Sequence, residues 1–261
     1  MIRNLLISFF ILVFLAGCSE RKPKQITTGS NDPSHPGILV ITGGHSYDTT
    51  EFCTMFRSMK ELSFDTISHP HASGQLSSEG IYTYDVLVFY DYQPDQALED
   101  SVLFQNLTHH GVPLLFLHHS ICSCQRWEGF KEMLGGKYMM EGYGHDPSIL
   151  SNYRHDLDLH IRIADGHHPV TDGLTDFDIL DEGYSNISMT EGITPLLLTD
   201  NPQSSSPVAW INTFDQSTII CMMLGHDKHA YGNLAFQTFL SNSITWLARS
   251  DENYRSVLTK K

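Results

Sequence analysis

Four short apolar runs, each stopping at glycine, aspartate or histidine, constrain this chain more than any other feature. "GILVITGG" (Gly37–Gly44) ends in two glycines and "YDVLVFYD" (Tyr84–Asp91) in an aspartate. "VPLLFLHH" (Val112–His119) ends in two histidines and "STIICMMLGHD" (Ser217–Asp227) in Gly-His-Asp. Runs so short and so uniformly apolar are expected to be strands buried on both faces, as in a parallel sheet covered by helices. Helical patterns separate the early runs. "TTEFCTMFRSMKEL" places Phe52, Met55, Phe56, Met59 and Leu62 at helical spacing, "QALEDSVLFQNLTHHG" closes at Gly111, and "RWEGFKEMLGG" has a glycine stop. "FDTISH" is a further strand. The rhythm predicts an α/β fold with a mostly parallel sheet flanked by helices.

The pattern then changes. "HDLDLHIRI" (His155–Ile163) alternates strictly, with Leu157, Leu159, Ile161 and Ile163 on one face. That is a half-exposed strand, antiparallel or at a sheet edge. "FDILDEGYSN", "ITPLLLTD" and "PVAWINTF" are further strands. Thr213–Ser217 reads as a hairpin turn, and Asn233–Ala248 as a closing amphipathic helix. An antiparallel extension of the sheet is therefore expected.

The N-terminus stands outside this pattern. Arg3 precedes an apolar run from Leu5 to Leu15, then small residues and Cys18. The run is short for a transmembrane span and reads as an export signal. "LAGC" resembles a bacterial lipobox, which implies a signal peptide over 1–17, cleavage before Cys18 and lipidation of that cysteine. Residues 18–36 read as a flexible tether and 251–261 as a tail. The expected location is exported, periplasmic or at the cell surface, with the membrane engaged through the lipid alone.

The formal charge of −14 leaves no basic stripe for phosphates, which excludes nucleic acid as a partner. Histidine is over-represented, at 15 of 261 residues, without a poly-His tract. Several histidines end apolar runs. At the carboxyl edge of an open α/β sheet, where ligands bind, His45, His118 and His226 would converge as nitrogen ligands or as an acid–base set. Gly43 and Gly44 would let the backbone approach a ligand. His145, in "GYGHDPS", projects from a glycine-rich loop. "LDEGY" offers Asp181 or Glu182 as base or ligand and Tyr184 as a hydrogen-bonding group. Asp227 would fix the tautomer of His226. Cys53 and Cys221 read as core residues. Cys122 and Cys124 follow the His118-His119 strand end, but "LHHSI" has no glycine on either side, so the nucleophile-elbow pattern is absent.

These pieces together resemble the ThuA-like family, named for trehalose utilisation. The resemblance spans Gly37 to Ala248 and is carried by "GGH" (43–45), "LFLH" (115–118), "EMLGGKY" (132–138), "HHPVTDGL" (167–174), "DEGY" (181–184), "PVAW" (207–210), "LGHD" (224–227) and "SITWLA" (243–248), in that order. It implies a ThuA-like domain over 37–250 with a flavodoxin-like, class I glutamine amidotransferase-like fold. It also implies that the amidotransferase Cys-His-Glu triad is missing and that histidine stands where the elbow cysteine would be. Which of His118 and His119 faces the site is open. The resemblance further implies carbohydrate use, including disaccharides and their 3-keto derivatives, and a metal in some members.

Three functions compete. The first is a carbohydrate-processing hydrolase or lyase with a small sugar substrate, one divalent metal (zinc or similar) and no nucleotide. Its metal ligands would be His45, His118, His145 and His226, its catalytic groups Glu182, His118 and Tyr184, and its substrate contacts Gly43, Gly44, Asp181 and Asp227. The second is a non-catalytic sugar-binding lipoprotein, with Tyr47, Tyr90, Tyr143 and Tyr184 stacking on sugar rings. The third is an amidase using Cys122.

Overall fold

The computed structural model describes residues 35–69, 72–96 and 101–250. The expected signal peptide, lipidated Cys18, most of the tether and the tail lie outside the described residues. Among the described residues no helix is long and apolar enough to cross a membrane.

The chain alternates strand and helix through its first half. β1 (Gly37–Gly43), α1 (Thr49–Ser58), β2 (Ser63–Ser68), α2 (Ala72–Leu76), β3 (Val86–Asp91), α3 (Ser101–His109), β4 (Leu114–Leu117) and α4 (Gly129–Leu134) follow in order. The second half is mostly strand: β5 (Gly136–Lys137), β6 (Asn152–Ile163), β7 (Phe177–Ser185), β8 (Ser188–Met189), β9 (Thr194–Thr199), β10 (Ala209–Phe214) and β11 (Ser217–Met222). α5 (Lys228–Tyr231) and α6 (Leu234–Ser250) close it. One nine-stranded sheet has the order β2-β1-β3-β4-β11-β10-β9-β6-β7. β2, β1, β3, β4 and β11 pair in parallel; β10, β9, β6 and β7 extend the sheet antiparallel. The fold class expected from the apolar runs is the one observed.

The parallel half is uniformly apolar because both its faces are covered. Phe89 of β3 and Phe116 of β4 stack at 4.7 Å and meet Phe104 of α3. The next residue of β3, Tyr90, points to the opposite face and stacks on Phe52 of α1 at 4.4 Å. α6 lays Phe236, Phe239, Leu240, Ile244 and Leu247 against the sheet, all buried. β6 shows the alternation read from the sequence, with Leu157, Leu159 and Ile161 buried between exposed neighbours.

Two local features place the site. β4 ends in a tight 3-10 turn over His118–Cys122, and His118 takes a left-handed φ of 49°. That conformation is uncommon for a residue with a side chain and marks an elbow rather than a continuing strand. Ser120 ties the turn to β3, donating to the Phe89 carbonyl at 2.8 Å. The second feature is a bulge in β6. Arg154 pairs with Gly183 and Leu157 with Asp181, so His155 and Asp156 together oppose Glu182. Asp156 takes the extra turn with φ 56°.

α4 stops at Gly135, whose φ of 81° is left-handed. A Cβ there would lie 2.6 Å from Ile193 Cγ2 and 2.9 Å from Trp210 Nε1. The left-handed backbone costs a side chain about 1–2 kcal/mol, and overpacking adds about 1–3 kcal/mol. Gly135→Ala is therefore expected to lower the unfolding free energy by about 2–5 kcal/mol, read from the midpoint of a urea titration. A variant as stable as the parent would refute this account of the α4 stop.

Candidate functional site

The elbow after β4 aims His118 into the interior, where it is 1% exposed. Its Nδ1 lies 2.7 Å from the Met223 carbonyl oxygen, just beyond β11. A carbonyl only accepts, so Nδ1 carries a proton, and in the neutral form of the ring Nε2 would present a lone pair. Nε2 faces Glu182 Oε2 at 3.0 Å, His226 Nδ1 at 3.1 Å and the Tyr184 hydroxyl at 2.9 Å. Glu182 Oε2 and His226 Nδ1 are themselves 2.7 Å apart. His118, Glu182 and His226 form the one group among the described residues with the spacing to hold a metal ion.

Glu182 and Tyr184 belong to β7, the outermost strand, yet they meet a residue of β4 near the middle of the sheet. Alternation puts both on one face of β7, and Tyr184 stacks on the His118 ring at 4.9 Å. Burial pushes the Glu182 carboxyl up, but hydrogen bonds and charge from His118 and His226 overcome that and hold it well below the usual carboxylate range. The reciprocal effect raises His226 above 6.5, chiefly through its hydrogen bond to Glu182 and against its own partial burial.

Asp181 does a different job. Buried, it accepts the backbone N–H groups of Gly225 (2.7 Å), His226 (2.9 Å) and Glu182 (2.8 Å). With its acceptor oxygens so committed it is closed to a substrate, and it locks the loop that carries His226. Tyr90 and Tyr231 hold the other side of that loop, Tyr90 donating to the Gly225 carbonyl at 3.0 Å and Tyr231 to the His226 carbonyl at 3.1 Å. Asp227 is likewise committed, capping α5 and contacting His229 Nδ1 at 3.0 Å rather than the His226 ring.

The expected residues thus divide. His118, Glu182, Tyr184 and His226 come together. His45 is exposed at the rim, its ring 4.4 Å from that of His119 and 6.5 Å from that of His226, outside the three-atom group. His145 stands apart, its Nε2 on Gln125 Oε1 at 3.2 Å. Gly43 and Gly44 serve the backbone: a Cβ on Gly44 would overlap the Tyr92 carbonyl oxygen. Between the two adjacent histidines, His118 faces the site; burial, with the neighbouring His118, His45 and His226, pushes His119 well down, so it stays neutral against Tyr90 and His45. Cys122 is buried and burial pushes its thiol up, the wrong direction for a nucleophile. Tyr90 and Tyr184 are buried in side-chain packing, not displayed to a sugar.

One site residue, His155, escaped the sequence reading. Its Nδ1 is 3.8 Å from Glu182 Oε1 and its ring 4.9 Å from that of His226, while its side chain is 53% exposed. Strict alternation pointed to a plain half-exposed strand. The bulge that re-aims His155 toward Glu182 carries no local signal in "NYRHDLDL".

The fold is that of the glutamine amidotransferase-like α/β proteins, with histidine at the strand-end elbow. The trehalose utilisation (ThuA) family model matches residues 37–247, and the chain belongs to that family. Among solved structures, a protein assigned as ThuA-like from Parabacteroides merdae superposes with a TM-score of 0.67 at 18% identity, covering 83% of this chain and 91% of that one. A second, from Bacteroides uniformis, gives 0.65 at 15% identity over 90% and 99%. The PurLQS structure from Thermotoga maritima gives 0.52 at 8% identity over 81% and 99%, a likeness of fold. No curated protein matches the sequence.

Two outcomes follow. Asp181→Ala leaves three buried N–H groups without their acceptor and should cost about 3–5 kcal/mol, measured by thermal or urea unfolding; a loss under about 1 kcal/mol would contradict the clamp. In metal-stripped protein, imidazole nitrogen NMR should place the His226 titration above 6.5, and Glu182→Gln should bring it down. The raised His226 value makes its bond to Glu182 a stabilising contribution below the ordinary histidine range, lost as pH rises through the folded value. The depressed Glu182 makes the same bond fade again as pH falls through the folded carboxyl value. An unchanged His226 titration in Glu182→Gln would refute the coupling.

Proposed function

We propose that the chain is a carbohydrate-processing enzyme, a hydrolase or lyase acting on a glycoside or keto-sugar, with a divalent metal such as zinc held by His118 Nε2, Glu182 and His226 Nδ1. One observation carries the reading. The Met223 carbonyl keeps the His118 proton on Nδ1, so a lone pair faces a carboxylate oxygen at 3.0 Å and a second imidazole nitrogen at 3.1 Å. Lone pairs that converge so closely need a cation among them, a proton or a metal ion, and two imidazoles with one carboxylate suit a first-row divalent ion. A metal bound there would supply Lewis acidity toward a carbonyl, hydroxyl or water oxygen.

The remaining roles belong to side chains. The Met223 carbonyl and the Tyr184 ring fix the orientation of His118. Asp181 fixes His226 by its backbone. Glu182 Oε1 faces His155, so a proton leaving a substrate hydroxyl has two neighbouring bases, of which His155 reaches solvent. The family's link to trehalose utilisation supports a small sugar as substrate. The leader and the "LAGC" motif support an exported lipoprotein held to its membrane by lipid at Cys18.

Elemental analysis of protein purified without a His-tag tests the reading. About one equivalent of a divalent transition metal per chain is expected, retained in His145→Ala and lost in His118→Ala and Glu182→Ala. Wild-type protein that takes up no zinc, manganese or iron after equilibration and dialysis would overturn it.

A further inference from the structure

Of the large apolar side chains left exposed among the described residues, Tyr153 is aromatic and borders the site; it is 60% exposed. A solitary exposed hydrophobe is ordinary, so its position must make the case. Tyr153 of β6 pairs directly with Tyr184 of β7. Residues directly opposite in an antiparallel pair project from the same face, and Tyr184 uses that face to stack on His118. Tyr153 thus stands on the site side of the β6–β7 hairpin. Its ring lies 5.2 Å from that of His155, which in turn lies 4.9 Å from that of His226. Tyr153 is two ring contacts outward from the three-atom group, beyond a His155 that is itself half-exposed. The buried tyrosines near the site are used in packing and positioning; this one has most of its surface free.

We infer that Tyr153 is the platform of an outer sugar subsite, receiving the apolar face of a second ring while the first lies against His118, Glu182 and His226. The inference rests on the carbohydrate reading above and adds to it that the ligand has two rings. An aromatic ring with a polar tip suits a sugar, which presents C–H groups on its ring faces and hydroxyls at its edge. His155 stands between Tyr153 and His226, with ring-centroid steps of 5.2 and 4.9 Å, so Tyr153 lies outward of the group, where a second ring would extend.

The experiment uses the full chain and two-ring probes, trehalose and maltose, with methyl α-glucoside as the one-ring control. Affinity is read by saturation-transfer NMR titration, alongside metal content and melting temperature. At least one two-ring probe should bind wild type more tightly than the control. Tyr153→Ala should weaken that probe about tenfold, the equivalent of about 1.4 kcal/mol, and leave the control unchanged. Tyr153→Trp should restore binding. Metal content and melting temperature should not move in either variant. Two-ring binding unaffected by Tyr153→Ala, equal weakening of both classes, or no two-ring binding to wild type would each overturn the subsite. A Tyr153-dependent two-ring preference in wild-type protein that takes up no metal after equilibration would uphold the subsite and sink the metal reading alone.

Discussion

The hydrogen bond from His118 Nδ1 to the Met223 carbonyl, 2.7 Å long and buried, is the interaction on which the site depends. It joins the ends of two neighbouring parallel strands, β4 and β11, whose pairing runs up to Leu117 and Met222. It also decides which ring nitrogen is free. Were Nδ1 the free nitrogen, its lone pair would meet the Met223 carbonyl oxygen, and Nε2 would offer a proton to Glu182. The left-handed elbow at His118 makes this bond possible, because a continuing strand would carry the ring out along the sheet face. The strain of one residue is thus set against a fixed tautomer.

Two adjacent carboxylates show how alternation divides labour. Asp181 and Glu182 differ by one methylene and one position, and both are buried. Pointing to one side of β7, Asp181 finds three backbone N–H donors and builds the loop. Pointing to the other, Glu182 finds two imidazoles and builds the site. Burial alone would push both carboxyls up. In Asp181 that upward push prevails over the N–H donors and the His118 charge, whereas in Glu182 the two histidines reverse it. The contrast follows from what each oxygen faces, not from depth.

Much of this was legible in the sequence because strand ends in a parallel sheet share an edge. The apolar runs "VPLLFLHH" and "STIICMMLGHD" implied that His118 and His226 would meet, and they do. The strand-end motif "LDEGY" supplied Glu182 and Tyr184. Three things resisted. The choice between His118 and His119 turns on one φ angle, which an apolar pattern does not encode. The apartness of His145 depends on a loop whose partner, Gln125, lies 20 residues earlier. The approach of His155 and Tyr153 depends on a bulge and on β7, the last strand in the sheet order, bending back toward β4. Such long-range curvature has no local signature in "NYRHDLDL", which reads as simple alternation.

The acidic balance of the chain bears on what the site can accept. A formal charge of −14 raises a repulsive field toward anions, and Glu182 adds a buried negative charge at the centre. Once pH rises through the raised His226 value, that ring no longer offsets the carboxylate, and the site then favours cations and tolerates neutral ligands. A phosphorylated sugar would meet the global field and, among the described residues that contact His118, no lysine or arginine to pair with it. Under the proposed carbohydrate reading, a neutral sugar escapes both penalties and would offer its hydroxyls and ring faces to the histidines and Tyr153. The same electrostatics that would draw the proposed divalent ion to Glu182 therefore argue, under the carbohydrate reading, for uncharged sugars over phosphorylated ones.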